Sequence, residues 1–514
     1  MGSHVVDHIV VVGGGTAGWL TAAKLIKRTQ ANSGSLKISV IESPDIPTIG
    51  VGEGTWPTMR KTLAELEINE SDFMRNCSAT FKQGTKFINW RCEATLHNNF
   101  YYHLFSSVFD PSEFNLAPYW LAEHANENRT YAETVSIQGS LCDLGLAPKK
   151  ITTKPFDGIQ NYAYHLDAMK FAELLKQYCL ARGVQFIVAN VTQVLCDEQG
   201  YISALDTDRI GQIAGDFFID CSGFRSLLIG ETLGIPFHSV NDILFNDSAI
   251  AIQVPYEHED ADIPCTTLST AQQAGWIWDI SLSSRRGTGH VYSSQHMSAD
   301  EAETVLRHYI GPSAHALTAK HIKMNIGYRE KFWHKNCVAI GMSAAFVEPL
   351  EASAIFLVEA SGNMICDLIP RDRAAMAYSE QRFNASMLYR WQRTIDFIKL
   401  HYVLSQRQSV FWLDNKNPAT IPDSLKASLA HWQHHPISKY EFASAYEPFP
   451  HESYQYVVYG MGLRPNLPSY LLGSAEQANE KLKLIQQASK RVVNELPRHR
   501  DLIKRVYQYG FQPI

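Results

Sequence analysis

The spacing of apolar residues changes along the chain, and its first part predicts three elements. HIVVV from His8 is continuously apolar and runs into glycines, which is typical of a buried strand ending in a tight turn. From Trp19 to Ile26 apolar residues recur three and four positions apart, so a helix with one apolar face follows. KISVIE, ending at Glu42, predicts a second strand. Together the three segments predict a βαβ unit.

The pattern recurs later and then changes. A helix is predicted from Asp167, its N-cap, to a C-cap at Gly183, with the strand VQFIV beyond it. GDFFIDCSGFRSLL around Asp220 and VAIGMSAAF from Val338 again run from a strand into a glycine. After Pro370, YSEQRFNASMLYRWQRTIDFIKLHY predicts a long helix. We therefore expect the last third of the chain to be mostly helical.

Composition narrows the class of protein. At 514 residues the chain can form a large core and more than one lobe. A net charge of -6 without a long basic run argues against a nucleic-acid partner. No apolar run reaches the ~18 residues of a membrane span, and no signal peptide is evident, so a cytoplasmic protein without membrane attachment is expected. Nine cysteines without a CxxC pair indicate reduced thiols and no metal site.

The glycine turn after the first strand predicts a nucleotide site. Gly13, Gly15 and Gly18 form GxGxxG, which permits a tight turn, close approach of a pyrophosphate, and close packing of helix on strand. Glu42 ends the second strand, where an acid accepts hydrogen bonds from ribose hydroxyls. The alternative is a purely structural turn. Of the possible nucleotides, FAD is favoured over NAD, because the later glycine turns suit a long cofactor held at several points.

Several motifs together resemble those of the flavin-dependent tryptophan halogenases, over nearly the whole chain. They are, in family order, GVGEGTWP, FKQGTKFINW, NYAYHLDA, DCSGFRSLL, LFNDSAIAIQVP, GWIWDIS, GTGHVYSS and FVEPLEASAIF. The resemblance implies FAD, used as FADH2 from a separate NAD(P)H-dependent flavin reductase without a stable complex, and chloride or bromide as co-substrate. A small aromatic substrate is implied, and a homodimer is compatible with it.

The fold implied is α/β: an FAD-binding Rossmann-like fold of the flavin monooxygenase type with an added, mainly helical substrate lobe. We expect the FAD module at residues 5–370, with interleaved substrate-lobe segments at about 95–160 and 250–330. The mainly helical lobe is expected at 371–514. The predicted cofactor-binding residues are Gly13, Gly15, Thr16, Ala17, Gly18, Glu42, Gly52, Glu53 and Gly341.

Lys82 is a cation among apolar neighbours in ATFKQGTKFINW. From the residues alone, a lysine at the solvated edge of a strand is expected. The resemblance instead implies the catalytic lysine, which holds hypohalous acid beside the ring to be halogenated. It does so either as an ammonium that hydrogen-bonds the acid or as an amine that forms a haloamine, in a tunnel where burial lowers its pKa. Lys86 has no family role and is expected to be a solvated surface charge.

The second acid of EPLEAS, Glu351, matches the family glutamate opposite that lysine. The resemblance implies that its carboxylate stabilises the arenium intermediate and helps remove its proton. The alternative is an acid favoured by a helix dipole. Ala352, Ser353 and Ala354 follow where the family has Ser, Thr and Gly. The halide site is expected at Ser353 and Ala354, with a preference for bromide.

GWIWDIS matches the family motif GWxWxIP except that Ser281 replaces proline. The resemblance implies that Trp276 and Trp278 wall the flavin off from the organic substrate, so that halide is oxidised instead. The alternative is that two tryptophans on one strand face merely pack the core. A change of loop shape at Ser281 would favour a flavin monooxygenase on the same fold. A flavin-binding protein without turnover is the third possibility.

The substrate pocket departs most from the family. His103 and Phe105 stand where the family's residues line the indole site, and Phe449 is aligned with the stacking tryptophan. No counterpart of the family's paired tyrosines and glutamate, which hold the amino acid, is found, unless Tyr454 or Tyr456 supplies one. We therefore expect an electron-rich aromatic such as indole as substrate, as in an indole halogenase.

Overall fold

The structure is a computed structural model that describes residues 5–30, 36–46, 52–93, 99–109, 114–124, 129–468, 470 and 474–514. The start of GVGEGTWP, at residues 50 and 51, lies outside them. The strands are β1 (His8–Val12), β2 (Lys37–Glu42), β3 (Gly52–Gly54), β4 (Thr80–Lys82), β5 (Gly84–Ile88), β6 (Phe100–Leu104), β7 (Ala163–Asp167), β8 (Gln185–Val188), β9 (Val191–Cys196), β10 (Ile202–Thr207), β11 (Gly211–Ala214), β12 (Phe217–Asp220), β13 (Phe237–Ser239), β14 (Ser248–Pro255), β15 (Thr267–Gln272), β16 (Gly275–Ser281), β17 (Arg285–Tyr292), β18 (Ala319–Lys323), β19 (Gly327–Arg329), β20 (Trp333–His334), β21 (Cys337–Ala339) and β22 (Ala345–Phe346). The α-helices are α1 (Thr16–Gln30), α2 (Thr58–Glu65), α3 (Glu70–Asn76), α4 (Ala117–Tyr119), α5 (Tyr131–Val135), α6 (Ile137–Asp143), α7 (Ala168–Leu180), α8 (Ala299–Ile310), α9 (Ser353–Leu368), α10 (Met376–Val403), α11 (Val410–Asn415), α12 (Asp423–Trp432), α13 (His451–Gly460), α14 (Ala475–Glu495) and α15 (His499–Tyr509).

A six-stranded sheet in the order β20-β21-β12-β1-β2-β8 carries the glycine turn. Its strands pair in parallel, apart from the antiparallel β20–β21 pair at one edge. Central strand β1 is buried from Ile9 to Val12, as expected for a sheet covered on both faces. The predicted βαβ unit is thus confirmed, and so is the helix capped by Asp167, whose side chain accepts from the amides of Met169 and Lys170. The helix ends at Leu180 with Ala181 as its C-cap, two residues before the predicted Gly183.

A second sheet, in the order β18-β14-β17-β16-β15-β5-β6, is antiparallel except where β15 runs parallel to β5. A small sheet, β3-β7-β4, lies beside it, and β3 contacts both β16 and β17. In the small sheet, Lys82 pairs with Ala163 and Gly52 pairs with Asp167. Segments far apart in the chain are therefore brought to one place beside β16.

From α10 onward the chain folds as helices, so the mainly helical last third is confirmed. The predicted long helix is α10, 28 residues from Met376 to Val403. β6 shares a sheet with β14 to β18, which agrees with interleaved segments, although the domain limits themselves stay a prediction. No helix within the described ranges combines the length and the apolar content that a membrane crossing requires.

Candidate active site

One cavity of about 620 Å³ connects the glycine turn to the predicted catalytic residues. Gly13, Gly15 and Glu42 line one part of it, and Lys82 and Glu351 line another. Its wall is mostly apolar, with a few polar side chains, as is usual for a cofactor site. A site for a long cofactor and a reaction site thus share one space.

The three glycines of the turn have three different surroundings. Gly13 has φ +120°, and a Cβ there would lie 2.1 Å from the carbonyl oxygen of Cys221. A Cβ on Gly18 would lie 1.9 Å from the carbonyl oxygen of Gly13. At Gly15, a Cβ would meet nothing within 4 Å. The first and third glycines therefore serve packing, whereas the second opens onto the cavity, where a pyrophosphate needs the space.

The other predicted cofactor residues fit the same picture. Every one of them except Gly18 lines the cavity; those outside the turn are Thr16, Ala17, Glu42, Gly52, Glu53 and Gly341. One carboxylate oxygen of Glu42, Oε2, is buried without a hydrogen bond from any described residue and lies 3.7 Å from the Lys176 ammonium. An acceptor left free beside an open glycine turn fits the ribose of a flavin dinucleotide.

Lys82 ends strand β4 and is only 1 % exposed, so the solvated-edge alternative is wrong. Its ammonium lies 5.2 Å from the centre of the Phe105 ring. Burial lowers the pKa of Lys82 to about 8, although the nearby carboxylates of Glu351 and Glu53 act to raise it. Burial likewise raises the pKa of Glu53 to about 7, against the effect of Lys82. The site thus holds a lysine that is easier to deprotonate than usual.

The expectation that Lys86 is a solvated surface charge is right only in part, because the lysine is partly exposed but paired. Its ammonium lies 2.9 Å from Asp143 and 4.0 Å from the centre of the Phe100 ring, and its side chain is 23 % exposed. The residue lies four positions beyond the end of β4, on β5, where an acid of α6 reaches it. It is a paired lysine outside the cavity lining.

Glu351 lies in the turn before α9, with φ 69°. Its Oε2 is 2.7 Å from Nδ1 of His103, and its Oε1 is 3.1 Å from Nε2 of His401. The indole of Trp56 donates to its carbonyl oxygen at 2.8 Å. Burial would raise the pKa of the carboxyl, but the two histidines more than offset this and hold it well below its usual range. The carboxylate is therefore a fixed, buried negative charge, engaged by histidines and not by a helix dipole alone.

The predicted halide residues begin helix α9. Ser353 and Ala354 both line the cavity, and Ala352 precedes them with φ 54° and no side-chain cap. The first amides of a helix lack intrahelical acceptors and carry the positive end of its dipole. Because no side chain caps these amides, this part of the cavity suits a small anion.

Trp276 and Trp278 lie on one face of β16 and both line the cavity. A Cβ on Gly289 would lie 2.0 Å from the Trp278 ring, so a glycine is needed across the sheet. Ser281, which replaces the family's proline, is the last residue of β16, and its carbonyl oxygen accepts a hydrogen bond of 2.6 Å from Thr80. The strand thus continues through Ser281 and joins the strand that carries Lys82.

The predicted substrate residues surround Glu351 and Lys82 but do not line the described cavity. His103 bridges Glu351 and Ser453, whose hydroxyl lies 2.9 Å from Nε2. Phe449 stacks on Phe397 at 3.8 Å between ring centres and meets Trp56 edge-on at 4.9 Å. The aromatic residues that the sequence singled out are therefore brought together, and their contact with substrate stays a prediction.

The two tyrosines that could supply an amino-acid clamp are already engaged. The hydroxyl of Tyr454 lies 2.9 Å from Arg393 and 3.2 Å from Glu447. The hydroxyl of Tyr456 donates to the carbonyl oxygen of Ser106 at 2.9 Å. Neither is free to hold a carboxylate.

Sequence reasoning missed His401, Ser453 and Trp56, which contact Glu351 or its histidine partner. His401 lies on the buried face of α10, 50 residues beyond Glu351, and no motif marks it. A buried histidine in an otherwise apolar helix face was the available signal, but it does not identify the partner.

Known proteins that are similar to this chain include tryptophan halogenases. Residues 8–477 match the family model described as tryptophan halogenase. The chain is 35% identical to tryptophan 6-halogenase SttH of Streptomyces toxytricini, over 96% of each chain. A solved tryptophan halogenase from Shewanella frigidimarina is 44% identical, with a TM-score of 0.96 over 99% of each chain. A tryptophan C-6 flavin-dependent halogenase (chlorinase) from taromycin biosynthesis is 36% identical, with a TM-score of 0.90 over 97% of this chain and 99% of that one.

Proposed function

We propose that this chain, which belongs to the tryptophan halogenase family, halogenates an indole ring by means of hypohalous acid held at Lys82. As a flavin-dependent halogenase, it uses FAD and halide. The observation that carries the proposal is that Lys82 and Glu351 line the same cavity as the glycine turn. When bound in its reduced form, FAD supplies the activation of oxygen by which halide is oxidised. A separate NAD(P)H-dependent reductase delivers the reduced flavin.

The residues that hold FAD are those of the glycine turn and the segments facing it. Amides at the start of α1 bind the pyrophosphate, with Gly15 leaving room for it, and the free oxygen of Glu42 accepts from the ribose. Gly52 and Gly341 also line the cavity and, as glycines, place no side chain of their own in it. The uncapped start of α9, at Ser353 and Ala354, binds the halide.

Lys82 acts on the oxidised halide. An ammonium that is buried beside Glu351 and Glu53 donates a hydrogen bond to hypohalous acid and polarises it towards the aromatic ring. Because the pKa of Lys82 is about 8, the neutral amine is also accessible close to neutral pH, so transfer through a haloamine remains the alternative. In both cases the lysine fixes the position of an otherwise unselective electrophile.

Glu351 stabilises the cation that forms on the attacked ring and takes up its proton. We expect Glu351→Gln to slow halogenation by one to three orders of magnitude, about 1.4–4 kcal/mol of barrier, because an amide does not stabilise a cation as a carboxylate does. Single-turnover rates at saturating substrate, with FAD affinity as the control, measure the effect. A rate within a factor of two of wild type would count decisively against this role.

The named relatives act on tryptophan, and indole shares its ring, so we propose an indole ring as the group halogenated. Tyr454 and Tyr456 are engaged elsewhere, and Arg393 and Glu447 pair with each other at 3.2 Å. These groups are therefore not available to an amino acid's ammonium and carboxylate.

We expect free indole to be a better substrate than L-tryptophan, by about tenfold or more in kcat/KM, or 1.4 kcal/mol. Leaving either charge of the amino acid unpaired in a buried pocket costs several kcal/mol, whereas indole carries neither. The measurement compares indole, 3-methylindole and L-tryptophan with bromide present; 3-methylindole controls for bulk at the ring's third carbon. A higher kcat/KM for tryptophan would mean that an amino-acid clamp exists.

The second candidate is a flavin monooxygenase on the same fold. If the aromatic substrate passed the two tryptophans and reached the flavin, the enzyme would add oxygen to the substrate instead of halogen. The continuous strand at Ser281 and the burial of both rings favour the halogenase. Product mass after incubation with reduced FAD, oxygen, an indole and equimolar chloride and bromide decides the question. A halogen added, bromine in excess, is the expected result. An oxygen added, or no product, would refute the proposal.

A further inference from the structure

A second buried carboxylate lies beside one of the wall tryptophans and lines the same cavity. Glu348 is three residues before Glu351, is 1 % exposed, and takes no part in the chemistry proposed above. Its Oε2 accepts hydrogen bonds from the indole nitrogen of Trp276 at 2.8 Å, from the amide of Asn246 at 2.8 Å and from the hydroxyl of Tyr402 at 2.7 Å. Its Oε1 has no hydrogen-bond partner among the residues that the structure describes. All the donors within reach thus converge on one oxygen.

The hydrogen bond to Glu348 is the polar anchor of the Trp276 ring. An indole has a single polar hydrogen, and a bond from it to a carboxylate is stronger than one to a neutral acceptor. Two other neighbours of the ring are aromatic: Trp278 lies 6.4 Å away and Trp90 lies 6.3 Å away, centre to centre. Such contacts allow several tilts of a ring, whereas the hydrogen bond selects one.

The carboxylate is in turn held in place from two further elements. Asn246 comes just before β14, and Tyr402 lies on α10, where its hydroxyl also accepts from the Asn246 amide at 2.8 Å. Burial raises the pKa of Glu348, and Trp276, Asn246, Tyr402 and Lys399 act in the opposite direction. Burying a carboxylate without hydrogen-bond partners would be unfavourable. The donors that Glu348 orients therefore also stabilise its buried carboxylate.

We propose that Glu348 is a positioning residue that fixes the Trp276 ring in the wall between flavin and aromatic substrate, and so sets the share of reduced flavin that yields halogenated product. The inference rests on the proposed function, in which that wall directs oxidation to halide. Although Glu348 lines the cavity, its hydrogen-bonded oxygen is engaged by the Trp276 indole, and it acts through that ring. Replacing Glu348 is expected to leave FAD binding intact and to lower the amount of halogenated product formed per reduced FAD oxidised.

The test measures halogenated product and hydrogen peroxide per reduced FAD consumed, since two electrons that reach oxygen without oxidising halide leave as peroxide. We expect Glu348→Leu and Trp276→Phe each to lower halogenated product per FADH2 at least fivefold and to raise peroxide correspondingly. Because both remove one contact, the double variant should be no worse than either. Glu348→Asp, which keeps the charge but shortens the reach, should give a smaller loss and serves if the leucine variant does not fold.

Two further variants act as controls. Glu348→Gln keeps an oxygen that accepts from the indole, so its product yield should stay within twofold of wild type. Tyr402→Phe removes a donor to Glu348 but leaves the bond to Trp276, and should also stay within twofold. An unchanged yield in Trp276→Phe would refute the wall in the proposed function itself. Uncoupling by Trp276→Phe but not by Glu348→Leu or Glu348→Asp, or losses that add in the double variant, would overturn the positioning role alone.

Discussion

Lys82→Ala should lower halogenated product at least 1,000-fold, about 4 kcal/mol of barrier, while oxidation of reduced FAD continues at nearly the wild-type rate. The reason is that the lysine acts on hypohalous acid after the flavin chemistry is complete. Product yield by mass spectrometry and flavin reoxidation by absorbance, from the same reaction, measure the two effects separately. Undiminished product would remove Lys82 from the mechanism.

The matched control is Lys86→Ala. Both lysines come from one short motif, but Lys86 is paired with Asp143 and lies outside the cavity lining. We expect its loss to change yield by less than twofold, with at most about 1 kcal/mol of stability from the partly exposed ion pair. Equal losses in the two variants would indicate damage to the β4–β5 region and not a chemical role for Lys82.

Gly15→Val should weaken FAD binding at least 100-fold, about 2.7 kcal/mol, with little change in the stability of the folded protein without cofactor. A Cβ at Gly15 meets no atom of the described residues within 4 Å, so the side chain enters the open space that the pyrophosphate is proposed to fill. Fluorescence titration with FAD and thermal unfolding without it measure the two quantities.

Gly15→Ala provides a graded comparison, since it adds one carbon where valine adds three. Its loss of affinity should lie between those of wild type and valine. Retention of FAD affinity within about threefold in folded Gly15→Val, under ~0.7 kcal/mol, would contradict the assignment of the turn to the cofactor.

The sequence predicts the parts of this fold in which a local pattern suffices. The βαβ unit follows from a strand, a glycine turn and a helical stripe within one short stretch, and α10 follows from an apolar stripe that continues over a long segment. Lys82 and Glu351 were found through motifs, since from composition alone a buried lysine is improbable. A local pattern predicts whether a segment is a helix or a strand, but not which distant residues pack around it.

The surroundings of the site depend on contacts between distant residues. His401 reaches Glu351 from another helix, and Glu348 gathers donors from Asn246 and Tyr402 on two further segments. Lys86 shows the same limit, because its expected state as a solvated charge did not include Asp143, which only the packing of α6 brings to it. Such partners are set by tertiary packing, for which single-residue propensities carry no signal.

The parallel pairing of β5 with β15 has a consequence for how the chain reaches its folded state on the ribosome. Nearly 180 residues separate the two strands, so at a synthesis rate of about 5–20 residues per second the β5–β6 hairpin waits roughly 10 to 40 s for its partner. During that time the edge of β5 exposes unpaired amides and carbonyls next to the aromatic side chains of FYYHL. Slower initiation, lower growth temperature or a chaperone that covers this hairpin should therefore raise the soluble yield, because nascent chains then meet one another less often before β15 arrives.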